Sequence, residues 1–143
     1  MTRPIEILLV EDNPGDVRLT QEALRESRIA NALSVVGDGA AAITFLEESG
    51  PAGTNAIPDL VLLDLNLPKL SGRDVLSRIK EHEHWKVIPV VVLTTSESEK
   101  DILECYPRHV NCYITKPLAF DAFLEVVRQI EDFWLTIVRL PRS

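Results

Sequence analysis

Acidic side chains follow two of the aliphatic runs in the sequence. Glu11 and Asp12 come directly after "IEILLV", and Asp64 ends "DLVLLD". Carboxylates at contact distance disfavour one another's ionised form, and a cation relieves that repulsion. Ligands that are all oxygens favour a hard ion, and Mg²⁺ typically binds one or two carboxylates together with waters and phosphate oxygens. If the three carboxylates converge, they form a Mg²⁺ site. For Glu11 and Asp12 taken alone, a solvated acidic loop is the simpler interpretation.

Asp64 and two further positions suit phosphoryl transfer. Asp64, at the end of its aliphatic run, could attack a phosphoryl group as a nucleophile. Such a transfer mainly needs in-line positioning and neutralised equatorial oxygens. Thr94 could donate a hydrogen bond to one oxygen, and Lys116 a charge-assisted one to another. Taken singly, each has a plainer role as a turn aspartate, a β-branched strand residue or a surface lysine.

The elements that must position these residues alternate between short aliphatic runs and segments of helical period. This pattern predicts an α/β fold, an open, doubly wound, five-stranded parallel sheet of flavodoxin-like order. The predicted strands are Ile5 to Val10, "ALSVVGD", "DLVLLD", "VIPVVVLTT" and "NCYIT". The predicted helices run from Pro14 to about Ser27, Gly39 to about Ser49, Arg73 to Glu83, Glu97 to Pro107, and onward from about Ala119. Asn13 is the expected cap of the first helix, with Pro14 at its first position.

The polar residues that follow or end the first, third, fourth and fifth strands should meet at one edge of this sheet. In doubly wound sheets, sites form at the carboxyl ends of the strands. The residues expected in one crevice there are Glu11, Asp12, Asp64, Thr94, Thr95 and Lys116.

Composition limits the remaining possibilities. The 143 residues fit one domain, and 15 Lys and Arg against 22 Asp and Glu give a net charge of -7 that disfavours nucleic acid and anionic lipid as partners. No apolar run suggests a signal peptide or membrane span, so we expect a cytoplasmic protein. Cys105 and Cys112 lack the spacing of a zinc site or disulfide framework.

Four motifs resemble those of the receiver domains of two-component response regulators. They are "VEDN", "LLDLNLPKLSG", "LTT" and "YITKP", and the resemblance covers Ile5 to about Ile130. It implies a signalling protein that accepts a phosphoryl group from a sensor histidine kinase. Such a protein is not an enzyme beyond catalysing its own phosphorylation and dephosphorylation.

The resemblance also implies a role for each matching position. Asp64 would be the phosphoacceptor. Asp12, Asp64 and the backbone carbonyl of Asn66 would bind Mg²⁺, with Glu11 acting mainly through a metal-bound water. Thr94 and Lys116 would hold the phosphoryl group. On phosphorylation, Thr94 and Tyr113 would switch the face formed by the fourth helix, the fifth strand and the fifth helix. The bond between Lys116 and Pro117 would be cis.

The C-terminal residues predict an interaction surface. Apolar residues continue at helical spacing beyond Ile130, so residues 131–143 are expected to extend the last helix of a single receiver domain spanning residues 1–143. The residues expected at a homodimer interface are Phe133, Trp134, Ile137 and Val138. This tail and the opening "EDNPGD" resemble stand-alone regulators that partner phytochrome-type histidine kinases, with the first helix facing the kinase.

Three alternatives belong to other classes. A phosphatase of the haloacid dehalogenase type needs a second Asp two residues after the nucleophile, where this chain has Asn66. A flavodoxin would place the flavin phosphate against "EDNPGD", which would repel it. A receiver-like interaction module that is never phosphorylated is disfavoured because no essential residue of the motifs is missing.

Overall fold

The protein contains a five-stranded parallel sheet in the strand order that the sequence predicts. The computed structural model describes residues 4–26, 30–50, 53–65, 67, 71–94, 112–115 and 128. The strands are β1 (Ile5–Val10), β2 (Asn31–Val36), β3 (Leu60–Asp64), β4 (Val90–Thr94) and β5 (Cys112–Thr115). They lie in the order β2-β1-β3-β4-β5. The strand order reverses between β1 and β3, which is where a doubly wound sheet opens its crevice.

Three helices connect the first four strands. They are α1 (Pro14–Arg25), α2 (Gly39–Glu47) and α3 (Gly72–Glu81). Each begins with a side chain that accepts a hydrogen bond from a backbone N–H in the first turn, supplied by Asn13, Asp38 and Ser71 respectively. The predicted cap at Asn13 and the proline at the first helical position are both confirmed. All three helix starts therefore lie at the edge where the strands end.

The helices end slightly before the predicted positions. Helix α2 stops at Glu47, two residues before the predicted end at Ser49. The Ser49 hydroxyl donates a 2.6 Å hydrogen bond to the Leu46 carbonyl, and Ser49 forms a bridge with Asn55. A side chain that bonds to the backbone in this way competes with the next helical turn.

The core occupies both faces of the sheet. On β1, Leu8 and Val10 pack with α2 and α3, whereas Ile7 and Leu9 pack with residues of α1. Strand β3 alternates in the same way, and none of its side chains is more than 3% exposed. Burial on both faces explains why these strands are mainly aliphatic, with Glu6 the half-buried exception in β1.

Hydrogen bonds from two polar side chains, Lys80 and His82, stabilise the connection from α3 to β4. The Lys80 ammonium donates hydrogen bonds to the carbonyls of Ile88 at 2.7 Å and Lys86 at 3.2 Å, and burial lowers the pKa of Lys80 below its usual 10.5. His82 Nδ1 accepts from the backbone N–H groups of His84 and Trp85, and its ring stacks on that of Trp85 with the centroids 3.7 Å apart. These contacts fix the entry into β4.

The last two predicted helices lie outside the described residues, apart from Arg128, which is helical. Among the helices that are described, none is long and apolar enough to cross a membrane.

Candidate functional site

Three carboxylates meet where β1 and β3 end. Strand β1 pairs with β3 so that Val10 lies opposite Leu63, which places the next residues, Glu11 and Asp64, side by side. One carboxylate oxygen from each of Glu11, Asp12 and Asp64 lies within 4.8 Å of the other two. Glu11 and Asp64 are each only 2% exposed, whereas Asp12 is exposed. The predicted convergence of the acidic residues is therefore present in the fold.

Backbone contacts hold Glu11 in this buried position. Its N–H donates a 3.0 Å hydrogen bond to the Val36 carbonyl, which continues the pairing of β1 with β2 by one residue. Its Oε2 accepts a 3.2 Å hydrogen bond from the Asn13 N–H. The turn into α1 thus supplies part of what a buried carboxylate requires. The sequence did not indicate the hydrogen bond from Asn13 to Glu11. The two residues are only two positions apart, a spacing that is not characteristic of a helix or a strand.

The start of α3 packs closely against the backbone of Asp64 and Leu65. The Gly72 N–H donates a 3.2 Å hydrogen bond to the Leu65 carbonyl. A Cβ atom at position 72 would lie 2.3 Å from the Asp64 carbonyl oxygen and 2.4 Å from the Leu65 Cα. Only glycine permits this approach. Sequence reasoning placed Gly72 within a motif without assigning it a function, and the structure shows that it supports the backbone of Asp64.

The chemistry of the cluster fits a hard divalent cation. All three side chains offer oxygen, and buried carboxylates in proteins are normally paired or bound to metal. Opposite ligands of Mg²⁺ lie about 4.2 Å apart at bond lengths of about 2.1 Å. The three oxygens lie within 4.8 Å of one another, close to this upper limit for the ligands of one ion. The amino ends of three helices at the same edge add partial positive charge that favours anions, including a phosphoryl group.

The remaining predicted site residues are described only in part. Thr94 ends β4 and pairs with Thr115, so its backbone lies at the same edge of the sheet as Asp64. Tyr113 lies in β5 and pairs with Val92 of β4. The predicted residues outside the described part of the chain are Asn66, Thr95, Lys116, Pro117, Phe133, Trp134, Ile137 and Val138. Lys116 directly follows the end of β5.

Comparison with known proteins identifies the family. A family model described as the response regulator receiver domain matches residues 7–128. The chain belongs to this family. Membership agrees with the fold, the strand order and the acidic cluster, and it sets aside the flavodoxin and phosphatase alternatives.

Individual relatives match over almost their whole length. The response regulator Rcp1 of Synechocystis sp. is 49% identical over 140 residues, which cover 98% of this chain and 95% of Rcp1. The crystal structure of the phosphorylated cyanobacterial phytochrome response regulator RcpA is 47% identical, with a TM-score of 0.82 over 98% of this chain and 100% of that one. The Mn²⁺-bound form of Rcp1 is 49% identical, with a TM-score of 0.81 over 97% of this chain and 100% of that one. This receiver is therefore similar to phytochrome response regulators.

Proposed function

We propose that this receiver accepts a phosphoryl group on Asp64 in a Mg²⁺-dependent reaction and catalyses only its own phosphorylation and dephosphorylation. The observation that carries the proposal is the meeting of Asp64 with Glu11 and Asp12 at the strand edge. The phosphorylated state of the similar regulator RcpA supports the same chemistry.

The metal would be held by carboxylates on both strands. Asp12 and Asp64, with the backbone carbonyl of Asn66, would bind it directly, and Glu11 would act mainly through a metal-bound water. The buried position of Glu11 supports this division, because its carboxylate already accepts a hydrogen bond from Asn13. The Mn²⁺-bound form of Rcp1 supports a divalent ion in such a site. When bound, the ion neutralises phosphoryl oxygens during transfer.

The protein residues would bring about an in-line transfer. A carboxylate oxygen of Asp64 forms a bond to phosphorus as the phosphorus–nitrogen bond of a donor phosphohistidine breaks, and the histidine leaves with the bonding electrons. Thr94 and Lys116 would hold the other phosphoryl oxygens. The fixed backbone around Asp64 supports this mechanism, because transfer depends on positioning more than on added reactive groups.

The donor would be a sensor histidine kinase, and specifically one of the phytochrome type. Support comes from the similarity to RcpA, which is described as a phytochrome response regulator. Helix α1 would face the kinase. Its start adjoins the acidic cluster through Asn13, so a kinase bound there would lie beside Asp64.

The test is intact mass after incubation with a small-molecule phosphodonor or with a phosphorylated phytochrome-type kinase. We expect one phosphate on the wild-type protein when Mg²⁺ is present and none after chelation. Asp64→Asn should acquire no phosphate, because an amide cannot act as the nucleophile.

The control is Asp74→Asn, which makes the same change at an exposed aspartate in the first turn of α3. This variant should be phosphorylated like the wild-type protein. If neither donor labels the wild-type protein, the chain is a receiver-like interaction module instead. If Asp64→Asn is labelled, another residue is the phosphoacceptor.

We further propose that residues 131–143 extend the last helix of a single receiver domain and form a homodimer through Phe133, Trp134, Ile137 and Val138. These apolar residues recur at helical spacing in a chain of high net charge. Phosphorylation would act on this dimer through Thr94 and Tyr113. Thr94 ends β4, and Tyr113 lies in the neighbouring strand β5.

Light scattering coupled to size exclusion should show a dimer mass for the wild-type protein. Trp134→Lys should yield a monomer, because it places a charge in the apolar interface. Val87→Lys is the matched control, since Val87 is 77% exposed and lies outside the tail, and it should remain dimeric. A wild-type monomer at high protein concentration would contradict the proposal.

A further inference from the structure

Asn13 joins the acidic cluster to helix α1. Its backbone N–H donates to Glu11 Oε2 at 3.2 Å. Its side-chain Oδ1 accepts from the Asp16 N–H at 3.0 Å, and its carbonyl accepts the first helical hydrogen bond, from Val17, at 3.0 Å. One residue therefore holds the buried carboxylate on one side and the first turn of the helix on the other.

Asn13 is exposed, and its hydrogen bonds and backbone restrictions, rather than surrounding side chains, hold it in place. A Cβ atom at Gly15 would lie 3.2 Å from Asn13 Oδ1, so the side chain lies tightly against the turn that it caps. Pro14 restricts the backbone of the residue before it to extended conformations, and Asn13 has φ -86° and ψ 115°. A shift of the first turn of α1 must then move the N–H group that holds Glu11.

We propose that Asn13 is a positioning residue that couples helix α1 to divalent-cation binding at the acidic cluster. This inference rests on the proposed function only in taking the cluster as the metal site. Asn13 does not touch the ion. It acts through Glu11, whose carboxylate it keeps in one position, and through the cap that fixes its own backbone. Any partner that repositions the start of α1 changes the affinity of the site for its metal.

The coupling is reciprocal by thermodynamic necessity. If the capped helix favours metal binding, metal binding favours the capped helix by the same factor. The backbone N–H groups of Asp16 and Val17, which bond to Asn13, report on the cap directly. Their hydrogen exchange should slow when Mg²⁺ binds.

The experiment compares Asn13→Ala with Asn13→Ser by calorimetric titration with Mg²⁺. Alanine cannot cap, whereas serine caps about as well as asparagine. Loss of a residue that orients a metal ligand typically weakens metal affinity by about tenfold or more. We expect about that loss in Asn13→Ala and near wild-type affinity in Asn13→Ser. The exchange of the Asp16 and Val17 N–H groups should respond to Mg²⁺ in the wild-type and serine proteins and not in the alanine protein.

A second readout separates positioning from general loss of stability. At saturating Mg²⁺, Asn13→Ala should reach the wild-type rate of phosphorylation, with only the half-saturating metal concentration raised. Ile79→Val is the control for stability, because Ile79 is fully buried near the far end of α3 and its truncation destabilises by an amount similar to that of a lost cap. This control should bind Mg²⁺ like the wild-type protein.

The possible outcomes distinguish this inference from the proposed function. Wild-type affinity in Asn13→Ala, or an equal loss in Ile79→Val, would overturn the coupling even if Asp64 is phosphorylated normally. Unchanged exchange of the α1 amides on addition of Mg²⁺ would also overturn it. A wild-type protein that binds Mg²⁺ with the expected coupling but takes no phosphate would leave the coupling in place and reject the proposed function.

Discussion

Gly72→Ala is expected to destabilise the protein by about 3 kcal/mol and to lower the rate of Asp64 phosphorylation at least tenfold. The added Cβ would lie 2.3 Å from the Asp64 carbonyl oxygen and 2.4 Å from the Leu65 Cα. Both are backbone atoms, so no side-chain rotation relieves the clash. Overpacking of this kind usually costs about 1–3 kcal/mol, and the rigid neighbours place it at the upper end of that range. Chemical denaturation and phosphorylation kinetics measure the two effects.

The loss of activity should exceed what unfolding alone explains. To accept the new atom, α3 and the backbone of Asp64 must move apart, which also weakens the 3.2 Å hydrogen bond from Gly72 to Leu65. A displacement of about 1 Å at a reacting group can cost about 100-fold in rate. Activity should therefore be measured at a temperature where the variant is fully folded.

Gly37→Ala is the matched control. A Cβ at Gly37 meets nothing within 4 Å, so the same substitution lacks the clash. Its stability should stay within about 1 kcal/mol of the wild-type value. Equal behaviour of the two alanine variants would show that the close approach at Gly72 does not hold Asp64 in place.

The sequence predicted the sheet and the acidic cluster because both follow from burial. Strands β1 and β3 are covered on both faces, so "IEILLV" and "DLVLLD" are mainly aliphatic rather than alternating between apolar and polar residues. Once these runs are parallel neighbours, the acidic residues that follow them must meet. Local pattern and topology are sufficient for this part of the site.

The contacts that hold the carboxylates in position could not be predicted from the sequence in the same way. The contact of Gly72 with Asp64 depends on how closely α3 approaches β3, and the bond from Asn13 to Glu11 depends on the path of a three-residue turn. Neither leaves a periodic signal. The same holds for Lys80, whose two carbonyl partners lie in the loop that leads to β4. Sequence pattern therefore predicted which carboxylates converge, and only three-dimensional packing shows what holds them.

Removal of divalent metal should destabilise the wild-type protein, and Asp64→Asn should lose most of this dependence. Glu11 and Asp64 are both buried with carboxylate oxygens within 4.8 Å of each other. Two unit charges about 5 Å apart repel by roughly 3 kcal/mol at an effective dielectric constant of about 20. Both residues have further interactions, so we expect part of this repulsion to remain in the metal-free protein and a neutral amide at position 64 to relieve it.

We expect Mg²⁺ to change which of the two proteins, wild type or Asp64→Asn, is the more stable. In chelator, Asp64→Asn should be more stable than the wild-type protein by about 1 kcal/mol, since relief of a strained site typically yields a gain of that order. With Mg²⁺ at about 100 times its dissociation constant, the wild-type protein should gain about 2.7 kcal/mol and become the more stable of the two. Thermal and denaturant unfolding with and without Mg²⁺ measure the four values.

Asp74→Asn again supplies the matched control, because it removes one negative charge from an exposed position in the first turn of α3. A carboxylate there is favoured by the helix dipole, so this variant should be slightly less stable than the wild-type protein in chelator and should gain as much from Mg²⁺. If Asp74→Asn stabilised the metal-free protein as much as Asp64→Asn, the effect would come from net charge. The buried cluster would then not be the source of the repulsion, and the metal dependence of folding would have to arise elsewhere in the protein.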